Sequence, residues 1–423
     1  MDTKRIPLTI GLNLKEFFLL IFLICAAGFS TIIQLITLLI FSFIFLFIGH
    51  KIKFVGRWIF YVSLLITSVL QLFLIWKTEY GINFIVNTLL ISIMWFFALQ
   101  SSNFVVKSIY EIDKQQIEKI LKIFFKLNLL FALMQILHMC IEMKTLTPFS
   151  NMSAGDNVKG LFRNSSVNMI IMSFFAVFYI TRKDHKYAFL AFLMMVLTFY
   201  MSGLMLFIGI LFIYAFFSFS LRNKIKVVCG ILLGLILFTQ FSPKNVEYVK
   251  HIIIDRVLND KDPPRKIISF KQTIDIWTSN HSNFIFGSGG GKFSSRTAFI
   301  TAGEYVNWFP KKYVFISQEF NKNHFPLWNK ETLSIPYNDG TSNQPFSFYN
   351  KIIGEYGLFG LLFFITYLLA PIKHYKNLTY GRLIFPLIFV YFLLDYWFEY
   401  FSVIVFFELF LFLDIKNSQD EFA

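Results

Sequence analysis

Apolar residues run along this chain in long blocks separated by short polar connections, with one large exception. Blocks fall at 16–27, 30–48, 58–76, 82–99, 119–141, 164–181, 187–200, 203–220, 226–241, 346–370, 383–396 and 400–413. Around twenty apolar residues match the hydrocarbon thickness of a bilayer, so the pattern predicts an all-α integral membrane protein with about 12 transmembrane helices. The exception is Phe241–Pro345, a mostly polar stretch between spans nine and ten. The chain thus divides into membrane helices over 1–240, a large loop over 241–345, and membrane helices with a short tail over 346–423. Glu16–Ile48 is long for one span and short for two, and Ala26, Ala27 and Gly28 offer the tight turn of a hairpin.

The remaining connections are basic: Lys51, Lys53 and Arg57; Lys107 and Lys114; Arg182, Lys183 and Lys186; Arg222 and Lys224; Lys373, Lys376 and Arg382. With twelve spans they share one side with the basic N-terminus and Lys416, which by the positive-inside rule is the cytoplasmic side. Both termini are then expected in the cytoplasm and Phe241–Pro345 outside the cell, where ATP is absent and lipid-linked substrates are present.

Composition supports the membrane reading, with 56% hydrophobic and 15% charged residues over 423 positions. The formal charge of +14 would fit a nucleic-acid partner, but most of the basic residues outside the large loop fall in short connections, which argues for topology instead. Cys25, Cys140 and Cys229 all lie in predicted helices, so no disulfide framework is expected in the loop. Lys4, Arg5, Lys15 and Glu16 precede a helix that leads straight into another, which does not read as a cleavable signal peptide.

Within the loop, Val246–Leu258 sets Val246, Val249, Ile252, Ile253 and Val257 on one face, predicting an amphipathic helix on the membrane surface. Pro263 and Pro264 break it. A second helix is predicted after them, with Asp262 as N-cap and an apolar stripe of Ile267, Phe270, Ile274 and Trp277. Residues 300–345 read as irregular.

Several residues carry candidate chemistry. Gly287–Lys292 looks like a phosphate loop, but Phe293 stands where a Ser or Thr would bind magnesium. A structural turn is the simpler reading, and a backbone cradle for another phosphate is the alternative. Arg265 and Lys266 fall in the first turn of the second loop helix, where an anion shared with the free N–H groups would be favourable. Arg163 stands at the external mouth of a span, against the positive-inside trend. Asp395, Glu399 and Glu408 lie in the last two spans, where carboxylates are costly and retained for a reason. A buried pair with Lys126 or His138 would accommodate Glu408. His251, His281 and His324 are external but show no metal-ligand spacing, so no metal and no cofactor are expected. Arg296 is also external and lies in no recognised motif.

Three stretches, taken in order, carry a resemblance. They are Gly160-Leu161-Phe162-Arg163-Asn164, then Arg265, Trp277 and Phe286-Gly287-Ser288-Gly289, then Ser347–Gly360 with its Glu355-Tyr356-Gly357. The chain resembles the Wzy-type O-antigen or capsule repeat-unit polymerases, in the superfamily shared with O-antigen ligases. Ligases carry a His nine residues before the Glu, where this chain has Phe346.

The resemblance implies a GT-C-like, metal-independent glycosyltransferase in the bacterial plasma membrane. It would join undecaprenyl-pyrophosphate-linked oligosaccharides into O-antigen or capsular polysaccharide, with a chain-length regulator and a flippase as pathway partners. An acceptor hydroxyl would attack an anomeric carbon while a pyrophosphate leaves. Arg163 and Arg265 are the candidates for stabilising that charge, because the guanidinium fork binds phosphate oxygens bidentately. Glu355, His324 and Asp395 are alternative general bases. An O-antigen ligase and a lipid-linked oligosaccharide flippase are the competing readings; flippases have short loops and polar bundle interiors, whereas here polarity concentrates at the outer side.

Overall fold

The computed structural model describes residues 12–28, 34, 36–41, 53–74, 81–146, 148–150, 157–218, scattered positions in 224–240, 243–251, 253–254, 263–335, 338 and 340–420. Regular structure among them is helical, with no strand. In chain order the principal helices are α1 (Leu14–Ala27), α2 (Val55–Leu74), α3 (Gly81–Glu111), α4 (Lys114–Met143), α5 (Ser165–Thr181), α6 (His185–Leu197) and α7 (Met201–Ser218). Then come α8 (Pro243–His251), α9 (Arg265–Ser279), α10 (His281–Phe286), α11 (Arg296–Thr301), α12 (Phe348–His374), α13 (Gly381–Tyr391) and α14 (Phe401–Asp420). Two shorter helices, Gln318–Lys322 and Lys330–Leu333, and several single turns fill the stretch before α12.

Val55–Phe73, Gly81–Glu111, Lys114–Met143 and Phe348–Asn377 are long and apolar enough to cross a membrane; Ser165–Thr181, His185–Leu197, Met201–Phe217 and Gly381–Tyr391 are shorter apolar helices. The predicted blocks 30–48 and 226–241 lie largely outside the described residues. The centre of the bundle is α14, buried without interruption from Phe401 to Ile415 and packed against α1, α3, α5 and α13. A helix apolar around its whole circumference is stable only when enclosed, and α14 is enclosed.

The predicted connection 100–118 is instead helical up to Glu111. Nothing in 100–111 breaks a helix, and Ser101, Ser102, Val105, Val106 and Ile109 keep burying one face. Ser102 is part of the arrangement that accommodates Glu408. Arg57 donates to Ser102 Oγ and, at 2.9 Å, to Asn103 Oδ1, while Ser102 donates to the Glu408 carboxylate. Tyr61 and Tyr367 hydroxyls add bonds to Glu408 Oε1 at 2.9 and 3.1 Å. The partners are therefore Arg57, through Ser102, and two tyrosines, rather than Lys126 or His138. His138 faces Glu142 at 3.7 Å.

Contacts along α3 sort the polar groups into two ends. At its C-terminal end Lys416 Nζ donates to Ile109 O at 2.9 Å, Lys53 lies over the Tyr110 ring, and Lys15 and Lys107 both meet Glu111. At its N-terminal end Asn83 donates to Val314 O at 2.9 Å and Asn87 to Gly291 O at 2.7 Å. The two ends are about 40 Å apart at 1.5 Å per residue. Lys15, Lys53, Lys107 and Lys416 therefore lie at the end of α3 opposite Gly291 and Val314.

Two details of that segment differ from expectation. The first helix starts at Pro243, and the predicted stretch to Leu258 lies partly outside the described residues. In α9 the cap is Pro264, and the apolar stripe turns outward at Ile267 and Ile274, which are 56% and 53% exposed, whereas Ser269, Thr273 and Ile276 are buried. The polar face turns inward because it is bonded there. Asn350 Nδ2 donates to Ser269 Oγ at 3.0 Å, and a His324 ring nitrogen meets Ser269 O at 3.0 Å.

Candidate active site

The glycine-rich stretch 287–295 closes over the first turns of α12. Ser288 N donates to Gly354 O at 2.8 Å and Gly289 N to Glu355 O at 3.0 Å. The Glu355 carboxylate then accepts four backbone N–H groups: Gly291 at 2.8 Å, Phe293 at 3.0 Å, Ser294 at 2.9 Å and Ser295 at 2.8 Å. Successive N–H groups of this kind form an anion-binding nest. Here the anion is the chain's own Glu355, so the stretch that looks like a phosphate loop is filled from within. Close approach needs glycine on both sides: a Cβ on Gly357 would stand 2.7 Å from Gly287 N, and Gly357 has φ 58°. That left-handed residue breaks the helical path inside α12.

His324 braces the other side of the nest. It is fully buried, with Nδ1 3.2 Å from Ser294 Oγ and Nε2 3.0 Å from Ser269 O, and its ring lies against Phe293. Since a carbonyl only accepts, Nε2 carries the proton and the neutral ring's Nδ1 accepts from Ser294. Burial pushes its pKa down to about 3, with Lys266 nearby acting in the same direction and the Ser269 bond opposing. The folded pKa lies below the unfolded value near 6.5, so the contribution to stability is intact above pH ~6.5 and declines as pH falls toward 3. Over that window the wild type should lose about 1.4 kcal/mol per pH unit through this group. Thermal melts of detergent-purified protein between pH 7 and 5 should show a slope that His324→Gln lacks.

Beside the nest, charged and aromatic side chains converge from α11, α12 and the turn before α14. Lys351 Nζ is 2.9 Å from Glu399 Oε1 and 3.8 Å from the Trp95 ring centroid, with both charged side chains buried. Arg296 N also donates to Glu399 Oε1, at 3.0 Å. The Arg296 guanidinium lies over the Tyr400 ring at 4.9 Å, and its Nε is buried with no hydrogen-bond partner. Glu399 Oε2 is likewise buried and unpartnered. Asp395 Oδ1 accepts from Tyr396 N at 2.7 Å, and its Oδ2 is 3.5 Å from the Tyr400 hydroxyl. Tyr396 donates to Tyr305 Oη at 3.0 Å, and Phe346 packs on Tyr396, Trp328 and Tyr305. Lys266 reaches the carbonyls of Phe346 and, at 2.7 Å, Leu394; burial lowers its pKa and the nearby Asp395 opposes that shift. Lys292 donates to Gln71 Oε1 at 2.9 Å, and burial takes its pKa down to about 8 against the pull of Glu355.

The arrangement offers a fixed guanidinium, a carboxylate and aromatic ring faces in one low-dielectric place. Such groups can hold a phosphate, orient a sugar and accept a proton. Of the residues singled out in sequence, Asp395 and Glu399 lie inside this cluster, and Glu355 and His324 lie in the nest beside it. Arg265 is half-buried at the first position of α9, its N–H 3.4 Å from Asn343 Oδ1. Arg163 is exposed, on a segment held to α4 by Asn128, which accepts from Leu161 N at 2.7 Å, and by Gln135, which accepts from Gly160 N at 2.9 Å. Arg296 and Lys351 are the residues that sequence reading passed over. For Lys351 the available signal was a lysine near the start of a predicted span, one that could answer the carboxylate at Glu399.

Compared with protein-family models, with curated proteins and with solved structures, the chain gives no match in any of the three.

Proposed function

We propose that this protein is a metal-independent glycosyltransferase of the bacterial plasma membrane that joins undecaprenyl-pyrophosphate-linked oligosaccharide repeat units into an O-antigen or capsular polysaccharide. The observation that carries this reading is the Arg296–Asp395–Glu399 cluster, set where a polar loop closes over helix ends opposite the basic connections. By the positive-inside rule that end is external, so a polyprenyl tail can stay in the bilayer while its sugars reach the cluster.

In this reading an acceptor hydroxyl oxygen bonds to the anomeric carbon of the donor while the bond from that carbon to the pyrophosphate oxygen breaks. The pyrophosphate leaves with the electron pair, and Arg296 stabilises its growing charge. One cation about 4 Å from a unit charge contributes roughly 4 kcal/mol at an effective dielectric near 20, and a fraction of that in the transition state is a tenfold to hundredfold effect. Asp395 takes the acceptor proton. Glu355, held by four N–H groups, and His324, fully enclosed, are positioning residues. Tyr305, Tyr400 and Trp328 offer half-buried ring faces for sugar stacking. Phe346, buried among those rings where ligases carry a His, disfavours ligase chemistry.

Deletion of the gene should leave single repeat units on lipid or acceptor and remove long chains, read by gel profile of the surface glycan. Unchanged long polymer, with no second copy of the gene, would overturn the proposal.

A further inference from the structure

The opposite end of the bundle holds a polar cavity of about 190 Å³ where four helix ends meet. It is lined by Lys114 at the start of α4, Arg182 just after α5, Tyr380 just before α13, and Asp414 and Asn417 near the end of α14. Two of these side chains already have partners. Arg182 pairs with Glu118, and Asp414 accepts from Thr379 N at 2.8 Å, Thr379 Oγ1 at 2.6 Å and Gly381 N at 2.8 Å. Tyr380 differs: it is 2% exposed and its hydroxyl has no hydrogen-bond partner. A buried hydroxyl is unfavourable without an acceptor or donor to meet it, so it marks a place for an outside group.

The charges around the cavity indicate what that group is. Lys114 and Arg182 are balanced by Glu118 and Asp414, so a polyanion would gain little, whereas a ligand carrying both signs meets a partner for each. The cavity also lies at helix ends, the depth at which headgroups meet a membrane protein. We propose that it binds a phosphoethanolamine group, with phosphate oxygens accepting from Lys114, Arg182 and the Tyr380 hydroxyl. The ammonium donates to Asp414 and to the Asn417 side-chain oxygen. The group can come from a phosphatidylethanolamine headgroup or from a soluble phosphoethanolamine. This proposal does not depend on the glycan-transfer reading.

The test is native mass spectrometry of the full chain in detergent, titrated with dioleoyl phosphatidylethanolamine, dioleoyl phosphatidylglycerol or soluble phosphoethanolamine. Wild type should retain phosphatidylethanolamine in preference to phosphatidylglycerol. Tyr380→Phe, which removes one hydroxyl, and Lys114→Gln should each weaken retention about tenfold or more, as loss of a hydrogen bond to a charged group does. Both variants should melt at the wild-type temperature without added lipid. Binding of soluble phosphoethanolamine with the same sensitivity to both variants supports the site with a soluble source. Equal retention of the two lipids, no retention of either probe, or variants that bind as wild type does would each overturn it.

Discussion

Replacing Arg296 by Ala is expected to lower glycan extension by about 10²–10³-fold, the usual cost of removing one preorganised charge-stabilising donor. The amount of protein in the membrane should not change, because the backbone N–H of residue 296, which binds Glu399, survives the substitution. Arg296→Lys should recover part of the activity, since Lys keeps the charge and loses the planar fork. The informative comparison is Arg163→Ala. Arg163 is exposed and no described contact joins it to the cluster, so this variant should extend chains within a few-fold of wild type. Chain-length profiles from strains carrying each variant decide the matter. Equal loss in the two variants would remove Arg296 from the proposed role.

The second large effect belongs to Glu355. Glu355→Ala would leave four enclosed backbone donors without an acceptor, and unsatisfied buried groups cost about 1–3 kcal/mol each, with incomplete additivity. A loss of about 3–5 kcal/mol is therefore expected, comparable with breaking a buried charged contact. Protein abundance and melting temperature should both fall sharply. Glu355→Gln can keep the oxygen that accepts from Phe293, Ser294 and Ser295 but then places a donor against the Gly291 N–H, so it should fall between. A general base would behave differently: removing it would stop catalysis and leave the melting temperature alone. A stable but inactive Glu355→Ala protein would return Glu355 to the catalytic list.

The sequence made the helical class and the position of the polar segment readable because both depend on long averages of hydropathy. The glycine stretch and the Glu355-Tyr356-Gly357 segment were also visible, but as two motifs about sixty residues apart. Only the fold shows that one is the ligand of the other. The α9 stripe was readable as a face but not as a direction, for a physical reason. Apolar periodicity identifies a face but does not say which medium receives it, and near a bilayer the apolar face can point outward. Arg296 illustrates another limit. The place proposed for it depends on Glu399, Asp395 and Tyr400, roughly a hundred positions away, and no local pattern around Ser294-Ser295-Arg296 announces them.

The Glu355 nest has a consequence for how this architecture can be rearranged. A segment whose fold is anchored on a carboxylate from a membrane helix is not a detachable module. Expressed alone, residues 241–345 would lack that anchor along with Lys351, Tyr396 and Glu399, and the excised piece should not reproduce its packed form. Exchanging the segment between related proteins should likewise fail unless the beginning of α12 travels with it. The natural unit of transfer, in engineering or in recombination between genes, is therefore the stretch from Pro264 through Tyr400, which crosses the boundary that hydropathy draws at 345.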